Sequence, residues 1–212
     1  MDDPEPKREG GRAARRASDT HQRLLQAALT VFNDSGFDGC TIEDITEKAD
    51  VGKGTFYRHF HDKHAILTAL VELAIADIER RLVKPSSSTW SQSDGLANIA
   101  HSILSMYRER QDLLLLFMQV NSMMAARKTT LPDLQLPFER YASLVEAQLP
   151  SLANHGLNPH DSRLLALSVA GSVLGILMST LSSVHKESVE GKLDSLCNDV
   201  VAGISQHQRG AV

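Results

Sequence analysis

Residues 41–63, which read TIEDITEKADVGKGTFYRHFHDK, constrain the chain most, because they predict two short helices joined by a tight turn. Thr41 is of a residue type that caps helix N-termini, and Asp44 three positions later approximates a capping box. Ile45 lies on an apolar stripe with helical spacing, so the first helix has one buried face. Residues 50–52 interrupt the stripe with Asp and Gly, which tolerate the left-handed backbone and favour a sharp turn.

The second helix of the pair, residues 53–60, is predicted to separate aromatic side chains from hydrogen-bond donors. Phe56 and Phe60 lie four positions apart and are expected to face inward. The run of outward donors consists of Lys53, Thr55, Tyr57, Arg58 and His59, and Lys63 follows at the start of the next helix. Lys and Arg neutralise phosphates, and the other donors fix the register on a DNA backbone. The pair therefore predicts a helix-turn-helix whose second helix enters the major groove.

The sequence over residues 22–70 closely resembles the N-terminal domain of the tetracycline-repressor (TetR) family of bacterial transcription regulators. The resemblance is carried by Ala28, Phe32, Gly36, Phe37, Thr41, Ile45, Val51, residues 53–60 and Lys63. Two positions depart from the family pattern, because Asp50 stands where Gly is usual and Gly52 stands where Ser is usual. The second departure removes a side-chain cap from the second helix, which costs roughly a few tenths of a kcal/mol.

The resemblance implies an all-α protein with a helix-turn-helix DNA-binding domain and a helical domain for ligand binding and dimerisation. We expect a disordered basic arm over residues 1–17, the DNA-binding domain over 18–64 and the regulatory domain over 65–212. The implied DNA-binding residues are Thr41, Lys53, Gly54, Thr55, Tyr57, Arg58, His59 and Lys63. The implied function is a homodimeric repressor that a small-molecule ligand releases from a near-palindromic operator in double-stranded DNA. The alternative is a similar DNA-binding protein without small-molecule control, in a nucleoid or adaptor role.

The charge of the chain supports DNA binding only locally. The formal net charge is −4, and acidic residues outnumber basic ones up to Lys63. The positive groups that matter are therefore the cations around the second helix of the pair and those that precede the first helix. Arg12, Arg15 and Arg16 of the arm either reach phosphates or a minor groove, or belong to a solvated tail.

Composition favours a helical protein without a membrane span. Hydrophobic residues make up 42% of the chain and aromatic residues only 5%, which supports a core built mainly from aliphatic side chains. No run of 18 or more apolar residues is present, and the N-terminus lacks the apolar core of a secretory signal. Cys40 and Cys197 are too far apart to suggest a disulfide framework or a zinc pattern. We expect a cytoplasmic protein with both thiols buried, and a redox role for Cys40 as the alternative.

Neither a catalytic site nor a metal site is predicted. An enzyme would need a nucleophile–base pair, a metal-binding set or a phosphate loop, and Gly52-x-Gly54 is too short for a nucleotide fingerprint. His59, His61 and His64 form an HxHxxH pattern, but no thiolate or carboxylate set completes a metal site. We therefore expect no cofactor.

The middle of the chain is predicted to form helices that enclose either an ordinary core or a ligand cavity. Apolar spacing predicts helices over about 18–35, 63–83, 94–109, 112–126, 132–154, 160–184 and 190–206. Methionines fill irregular gaps and adapt to varied partners, so both interpretations remain open for the helices they occupy. The candidate residues for a largely apolar ligand are His101, Met106, Phe117, Asn121, Met124, Phe138, Tyr141 and Met178. The polar members of this set are expected to face inward.

The last two predicted helices, over about 160–184 and 190–206, carry more apolar surface than one small domain needs. Gly171 and Gly175 lower helix propensity by up to about 1 kcal/mol each against Ala, which suggests a close packing contact. The resemblance implies that these helices pair with the same helices of a second copy in a two-fold symmetric dimer. Such a dimer presents two reading helices to half-sites about 34–36 Å apart.

Overall fold

The structure is a computed structural model that describes residues 7–82, 92–125 and 132–148, together with the helical positions 164, 167, 168, 171 and 175. Within these residues the structure has seven helices with defined bounds and no strand, so the all-α prediction is confirmed. The helices are α1 (Lys7–Gly39), α2 (Ile42–Lys48), α3 (Lys53–His59), α4 (Lys63–Arg81), α5 (Gln92–Glu109), α6 (Gln111–Ala125) and α7 (Pro132–Ala147). The predicted helix over 190–206 and most of that over 160–184 lie outside the described residues.

Helix α1 begins at Lys7, so the prediction of a disordered arm over 1–17 needs correction from that residue onward. Residues 14–17 read Ala-Arg-Arg-Ala, and all four have high helix propensity, which extends the helix ahead of the expected start at residue 18. Gly36 interrupts α1 with φ 74° and ψ 164°, a conformation that is essentially restricted to glycine. The kink lies directly after the predicted end of this helix at about residue 35, so the regular part of α1 ends where the sequence predicted.

One compact unit comprises Met1–Leu73 and Leu115–Leu134. Within it α2 packs against α1, and α3 packs against α2. Its fully buried side chains include Leu24, Ala28, Phe32, Ile45, Phe56, Ile66 and Leu70. These aliphatic and aromatic side chains pack α1, α2 and α3 together, and the packed helices support the polar side chains of α3. Burial of their apolar surface is the main contribution to stability.

The second compact unit comprises Ala74–Leu114 and Gln135–Val212. Asp77 and Arg81 of α4 are buried and joined at 2.7 Å, and Arg81 also donates to Glu109 of α5 at 2.9 Å. Burial alone would raise the pKa of Asp77, but the hydrogen bonds from the arginines overcome it and lower the pKa. Such a network fixes the register of α4 against α5, because its members lose partners if either helix slides.

Helix α7 differs from its predicted extent. It ends at Ala147, ahead of the predicted stop near residues 154–156, and it contains Pro137 one turn and a half after its first residue. The N–H of Gln148 binds the carbonyl of Val145 at 3.0 Å, which closes the last turn. Among the described helices, none combines the length and the apolar character that a membrane crossing requires.

Candidate nucleic-acid interface

The start of α2 carries the predicted capping box. The N–H of Asp44 donates to Thr41 Oγ1 at 3.2 Å, and the N–H of Thr41 donates to Asp44 Oδ2 at 2.7 Å. The hydrogen bonds that the N–H and the hydroxyl of Thr41 donate to the Asp44 carboxylate lower the pKa of that carboxyl. The prediction is confirmed, and the Thr41 hydroxyl, predicted to contact DNA, already has a partner inside the protein.

The turn between α2 and α3 is stabilised by Arg23, a residue that the sequence did not predict to contact it. Asp50 adopts φ 51°, as its tolerance of the left-handed region predicted, whereas Gly52 is extended at φ −76°. Arg23 of α1 donates to the carbonyls of Ala49 at 2.5 Å and Asp50 at 3.0 Å. A cation at the end of α2 compensates the negative pole of that helix. The separation of 26 positions between Arg23 and Ala49 leaves no local sequence signal for this contact.

The second helix, α3, presents one exposed face. Phe56 is 0% exposed and Phe60 is also buried, so the predicted inward side is confirmed. The outward face of α3 is defined here as the exposed residues Lys53, Gly54, Tyr57 and Arg58. The predicted DNA-binding residues Thr55 and His59 are half-buried and flank this face. No side chain caps α3 at Gly52, as expected from the Gly at that position.

Two hydrogen bonds connect residues of the outward face to neighbouring polar groups. Lys53 Nζ forms an ion pair with Glu43 Oε1 of α2, and this contact lowers the pKa of the Glu43 carboxyl. Arg58 donates to Thr55 Oγ1 at 3.4 Å. Both partners of the ion pair are about half exposed, and exposed pairs of this kind contribute little to stability. The sequence did not predict the contact of Glu43 with Lys53, because that contact depends on how α2 and α3 pack.

His59 packs against α1 rather than standing free beside the outward face. Its ring centroid lies 5.7 Å from that of His21, and His21 also stacks on Phe60 at 4.9 Å. Burial, followed by the proximity of His21 and Arg58, lowers the pKa of His59. Within the part of the chain that the structure describes, no three His, Cys, Asp or Glu side chains are grouped as metal ligands.

Lys63, which was predicted to contact DNA, uses its ammonium for contacts within the protein. Its Nζ donates to the carbonyl oxygens of Phe37 at 2.6 Å and Cys40 at 2.7 Å. The side chain is half-buried because the C-terminal end of α1 and the adjoining Cys40 surround its ammonium. The sequence placed Lys63 correctly at the start of α4 but could not show that backbone carbonyls surround it.

Cys40 is buried, as expected, and its thiol donates to the carbonyl of Phe37 at 3.4 Å. Burial raises the pKa of this thiol, and the nearby Lys63 only partly opposes the rise. A neutral buried thiol is a poor nucleophile, so this environment favours the packing role over the redox alternative. Cys197 lies outside the described residues.

The predicted ligand residues are distributed over both compact units. Met106 is fully buried in the second unit, where burial raises the pKa of Tyr141 to about 12 and Phe138 is half-buried. His101 is exposed rather than inward, because it lies on the face of α5 opposite Met106 and its buried neighbours. That position corrects the inward prediction for His101.

Three further ligand candidates lie in the first unit. Phe117 is buried and accepts a hydrogen bond at 2.9 Å from the amide of Asn121, while Met124 is half-buried. Met178 lies outside the described residues. Two surface depressions of about 510 and 270 Å³ border α2, and neither is lined by a predicted ligand residue. The larger one is bordered by the carboxylates of Asp34, Asp44 and Glu47, which does not suit an apolar ligand.

Comparisons with known proteins agree with this architecture. A model of the family described as "Bacterial regulatory proteins, tetR family" matches residues 24–70, which contain α2, α3 and their supports on α1 and α4. The solved structure titled SmeT-Triclosan complex is 23% identical, with a TM-score of 0.63 over 87% of this chain and 90% of that chain. This similarity shows that the all-α fold is shared.

Two curated relatives match over the same N-terminal region. The chain is 38% identical over 58 residues to the HTH-type transcriptional regulator YvdT of Bacillus subtilis, which covers 27% of this chain and 30% of YvdT. It is 33% identical over 67 residues to the class A tetracycline repressor protein from transposon 1721 of Escherichia coli, covering 32% and 31% respectively. The chain thus aligns with about a third of each relative's length, and these relatives are named as regulators rather than enzymes. Residues 24–70, which contain the helix-turn-helix, are therefore similar to the tetR family of bacterial regulatory proteins.

Proposed function

We propose that the protein is a sequence-specific DNA-binding transcriptional repressor that acts as a homodimer and is released from DNA by a small molecule. The observation that carries the proposal is the outward face of α3, which remains exposed above the buried Phe56. Side chains of this face donate hydrogen bonds to phosphate oxygens and to base edges in the major groove. The buried side holds α3 firmly enough to present those donors in one register.

Individual roles follow from the environment of each residue. Tyr57 and Arg58 are assigned to phosphates, whereas Lys53 and Thr55 are assigned to base edges. Lys53 must leave Glu43 to reach a base, and the small net strength of an exposed ion pair lets DNA compete for it. Lys53→Ala should therefore change the preference between operator sequences, and an equal loss of affinity on every sequence would contradict the base-contact role.

Dimer formation is supported by the exposure of those residues of the predicted interface that the structure describes. Leu164 is 52% exposed, and Ser168, Gly171 and Gly175 follow on the same helical face and are exposed as well. A Cβ added at either glycine would meet nothing within 4 Å in the single chain. In sedimentation experiments, the Gly171→Trp variant should be a monomer if a second copy covers this face. The Ser143→Trp variant, in which an exposed residue of α7 is changed, should remain a dimer.

The release step rests on a difference in ligand affinity between two conformers. A ligand that binds better to the conformer with mismatched half-site spacing shifts the protein away from DNA, by no more than that difference. SmeT, a protein of the same fold, was solved with triclosan bound. We expect a ligand in the present chain to weaken operator binding without touching DNA. Unchanged operator affinity at saturating ligand would instead favour a DNA-binding protein without small-molecule control.

The main experiment measures fluorescence anisotropy on the upstream intergenic DNA and on a scrambled DNA at several salt concentrations. The wild-type protein should prefer the upstream DNA and lose affinity as salt rises. Arg58→Met should lower the slope of log affinity against log salt by about 0.9 if Arg58 binds one phosphate. Lys48→Met, an exposed cation of α2 outside the outward face, is the matched control. Equal wild-type affinity for both DNAs would contradict sequence-specific binding.

A further inference from the structure

The turn between α2 and α3 is closed by its own backbone hydrogen bonds. The N–H of Val51 donates to the carbonyl of Thr46 and the N–H of Asp50 donates to the carbonyl of Glu47, each at 3.0 Å. This pair of hydrogen bonds is the Schellman motif, in which the residue after the helix end adopts the left-handed conformation. Asp50 is that residue, with φ 51°, and a side chain there is disfavoured relative to glycine. The turn therefore gains from a contact with another element.

Arg23 of α1 makes that contact through one nitrogen. Its Nη2 donates to the carbonyl of Ala49 at 2.5 Å and to that of Asp50 at 3.0 Å, and it lies 3.4 Å from Asp50 Oδ2. Both carbonyls follow the last turn of α2, where carbonyl groups lack helical partners. The side chain of Asp50 is 100% exposed, so its ion pair with Arg23 contributes little. The carbonyl of the buried Ala49 is the stronger contact, because a buried acceptor without a donor is destabilising.

This contact joins a firmly packed part of α1 to a helix that starts without a cap. Leu24 and Ala27, which neighbour Arg23 on α1, are both buried, so the core fixes the backbone that carries the guanidinium. Helix α3 has Gly52 at its N-cap position, and no side chain caps it. The direction of the first turn of α3 thus depends on the turn that precedes it, to which Arg23 is bound.

We propose that Arg23 is a positioning residue that holds the turn between α2 and α3 and thereby fixes the direction in which α3 presents Lys53 and Thr55. It acts through the backbone carbonyls of residues 49 and 50 and touches neither a phosphate nor a base. The inference rests on the proposed DNA-binding function, because the direction of α3 matters only if α3 reads DNA. The competing role is a direct phosphate contact, since about half of the Arg23 side chain is exposed.

The first experiment needs no DNA and uses the full-length protein. Arg23→Met retains an aliphatic stem and removes the donors, so amide hydrogen exchange at residues 49–51 should become at least about tenfold faster. Arg15→Met makes the same change at an exposed arginine about two turns earlier on α1 and should leave exchange at residues 49–51 unchanged. Unaltered exchange in Arg23→Met would overturn the proposal, whether or not the protein binds DNA.

The second experiment separates positioning from a phosphate contact by measuring anisotropy on an operator and on sites with single-base changes in each half-site. A loosely held α3 tolerates wrong bases, so Arg23→Met should reduce the preference for the operator over the changed sites by at least about threefold. A loss of stability alone would weaken binding to all sites equally. The slope of log affinity against log salt should keep its wild-type value. Unchanged base preference would overturn the proposal, and a slope lowered by about 0.9 would identify a phosphate contact instead.

A second variant, Arg23→Lys, covers the case in which Arg23→Met does not fold. Its ammonium keeps the charge and the donors, but it lies one bond closer to the backbone and is expected to retain only one of the two carbonyl contacts. Exchange at residues 49–51 and base preference should both lie between those of wild type and Arg23→Met. Exchange as slow as in wild type, together with weaker DNA binding, would show that Arg23 serves the DNA and not the turn. Failure of the wild-type protein to select any operator would overturn the proposed function, whereas exchange at residues 49–51 decides separately whether Arg23 holds the turn.

Discussion

The outward face of α3 and the junction behind it use polar residues in opposite ways. The junction is defined as Gly36, Phe37, Cys40, Thr41 and Lys63. Its polar groups bind backbone atoms or the carboxylate of Asp44 at 2.6–3.4 Å, and most of its side chains are buried or half-buried. The outward face leaves Tyr57 56% exposed and keeps its cations at the surface.

This difference separates stability from recognition along a stretch of about 28 residues, consistent with the small size of a helix-turn-helix. Changes in the junction should lower the free energy of unfolding, because they leave buried groups without partners. Changes on the outward face should alter DNA binding while stability stays the same or rises. A junction variant that spares stability, or an outward variant that lowers it, would break the contrast.

The largest expected effect is that of Gly36→Ala. With φ 74° and ψ 164°, an alanine is strained by about 2 kcal/mol, and its Cβ would also lie 3.4 Å from the side-chain nitrogen of Gln119. Urea denaturation should show this loss in the free energy of unfolding. Gly39→Ala is the control, because its Cβ meets only ordinary contact at 3.9 Å. Equal losses for both variants would show that the backbone conformation at Gly36 is not the cause.

Removal of the α2 cap should have the next largest effect. Thr41→Ala loses the acceptor for the N–H of Asp44 and should lower the free energy of unfolding by about 1 kcal/mol. Thr41→Ser keeps the hydroxyl and should restore most of that stability. If Ala and Ser variants unfold at the same urea concentration, the cap does not stabilise the junction.

Gly54→Ala should change stability and DNA affinity in opposite directions. The added Cβ meets nothing within 4 Å, and alanine favours a helix over glycine by about 0.8 kcal/mol, so the free energy of unfolding should rise. If DNA approaches the backbone closely at this point, operator affinity should fall several-fold in anisotropy measurements. A stabilised variant with wild-type affinity would remove Gly54 from the interface.

The smallest expected effect concerns pH. The pKa of His59 is lowered in the folded protein, so the unfolded chain binds a proton more readily. The stabilising contribution is present above the ordinary histidine pKa of about 6.5 and is lost as pH falls from there towards the folded value. Urea midpoints between pH 8 and 5 should therefore decline less in His59→Gln than in wild type. His61→Gln serves as the surface control, and an equal decline in all three proteins would contradict the assignment.

Local signals explain what the sequence could predict. The Thr41–Asp44 cap, the left-handed Asp50 and the buried Phe56 depend on residues at most four positions apart, so short-range chemistry determines them. The contacts of Arg23 and Lys63 join residues more than 20 positions apart, and only the packing of the helices brings them together. For the same reason the sequence identified which side chains α3 presents but gave no sign of the backbone carbonyls that surround Lys63.

The N-terminal arm shows the converse error. A disordered arm was expected before residue 18, yet the helix-favouring residues 14–17 continue α1 towards the N-terminus. Arg15 and Arg16 are exposed on this extension, and whether they touch DNA stays a prediction. A helix presents its cations at fixed spacing, so any such contact is more directional than that of a flexible tail.

Burial of Cys40 makes its thiol an internal probe of local opening. A buried, neutral thiol reacts with a disulfide reagent only after the surrounding structure opens, so its labelling rate measures how often the junction is breached. A Cys197→Ser background isolates that single signal. Binding of DNA, of a ligand or of a second subunit would each be detected as a change in the labelling rate of Cys40. No label would then be needed on the surface that binds DNA.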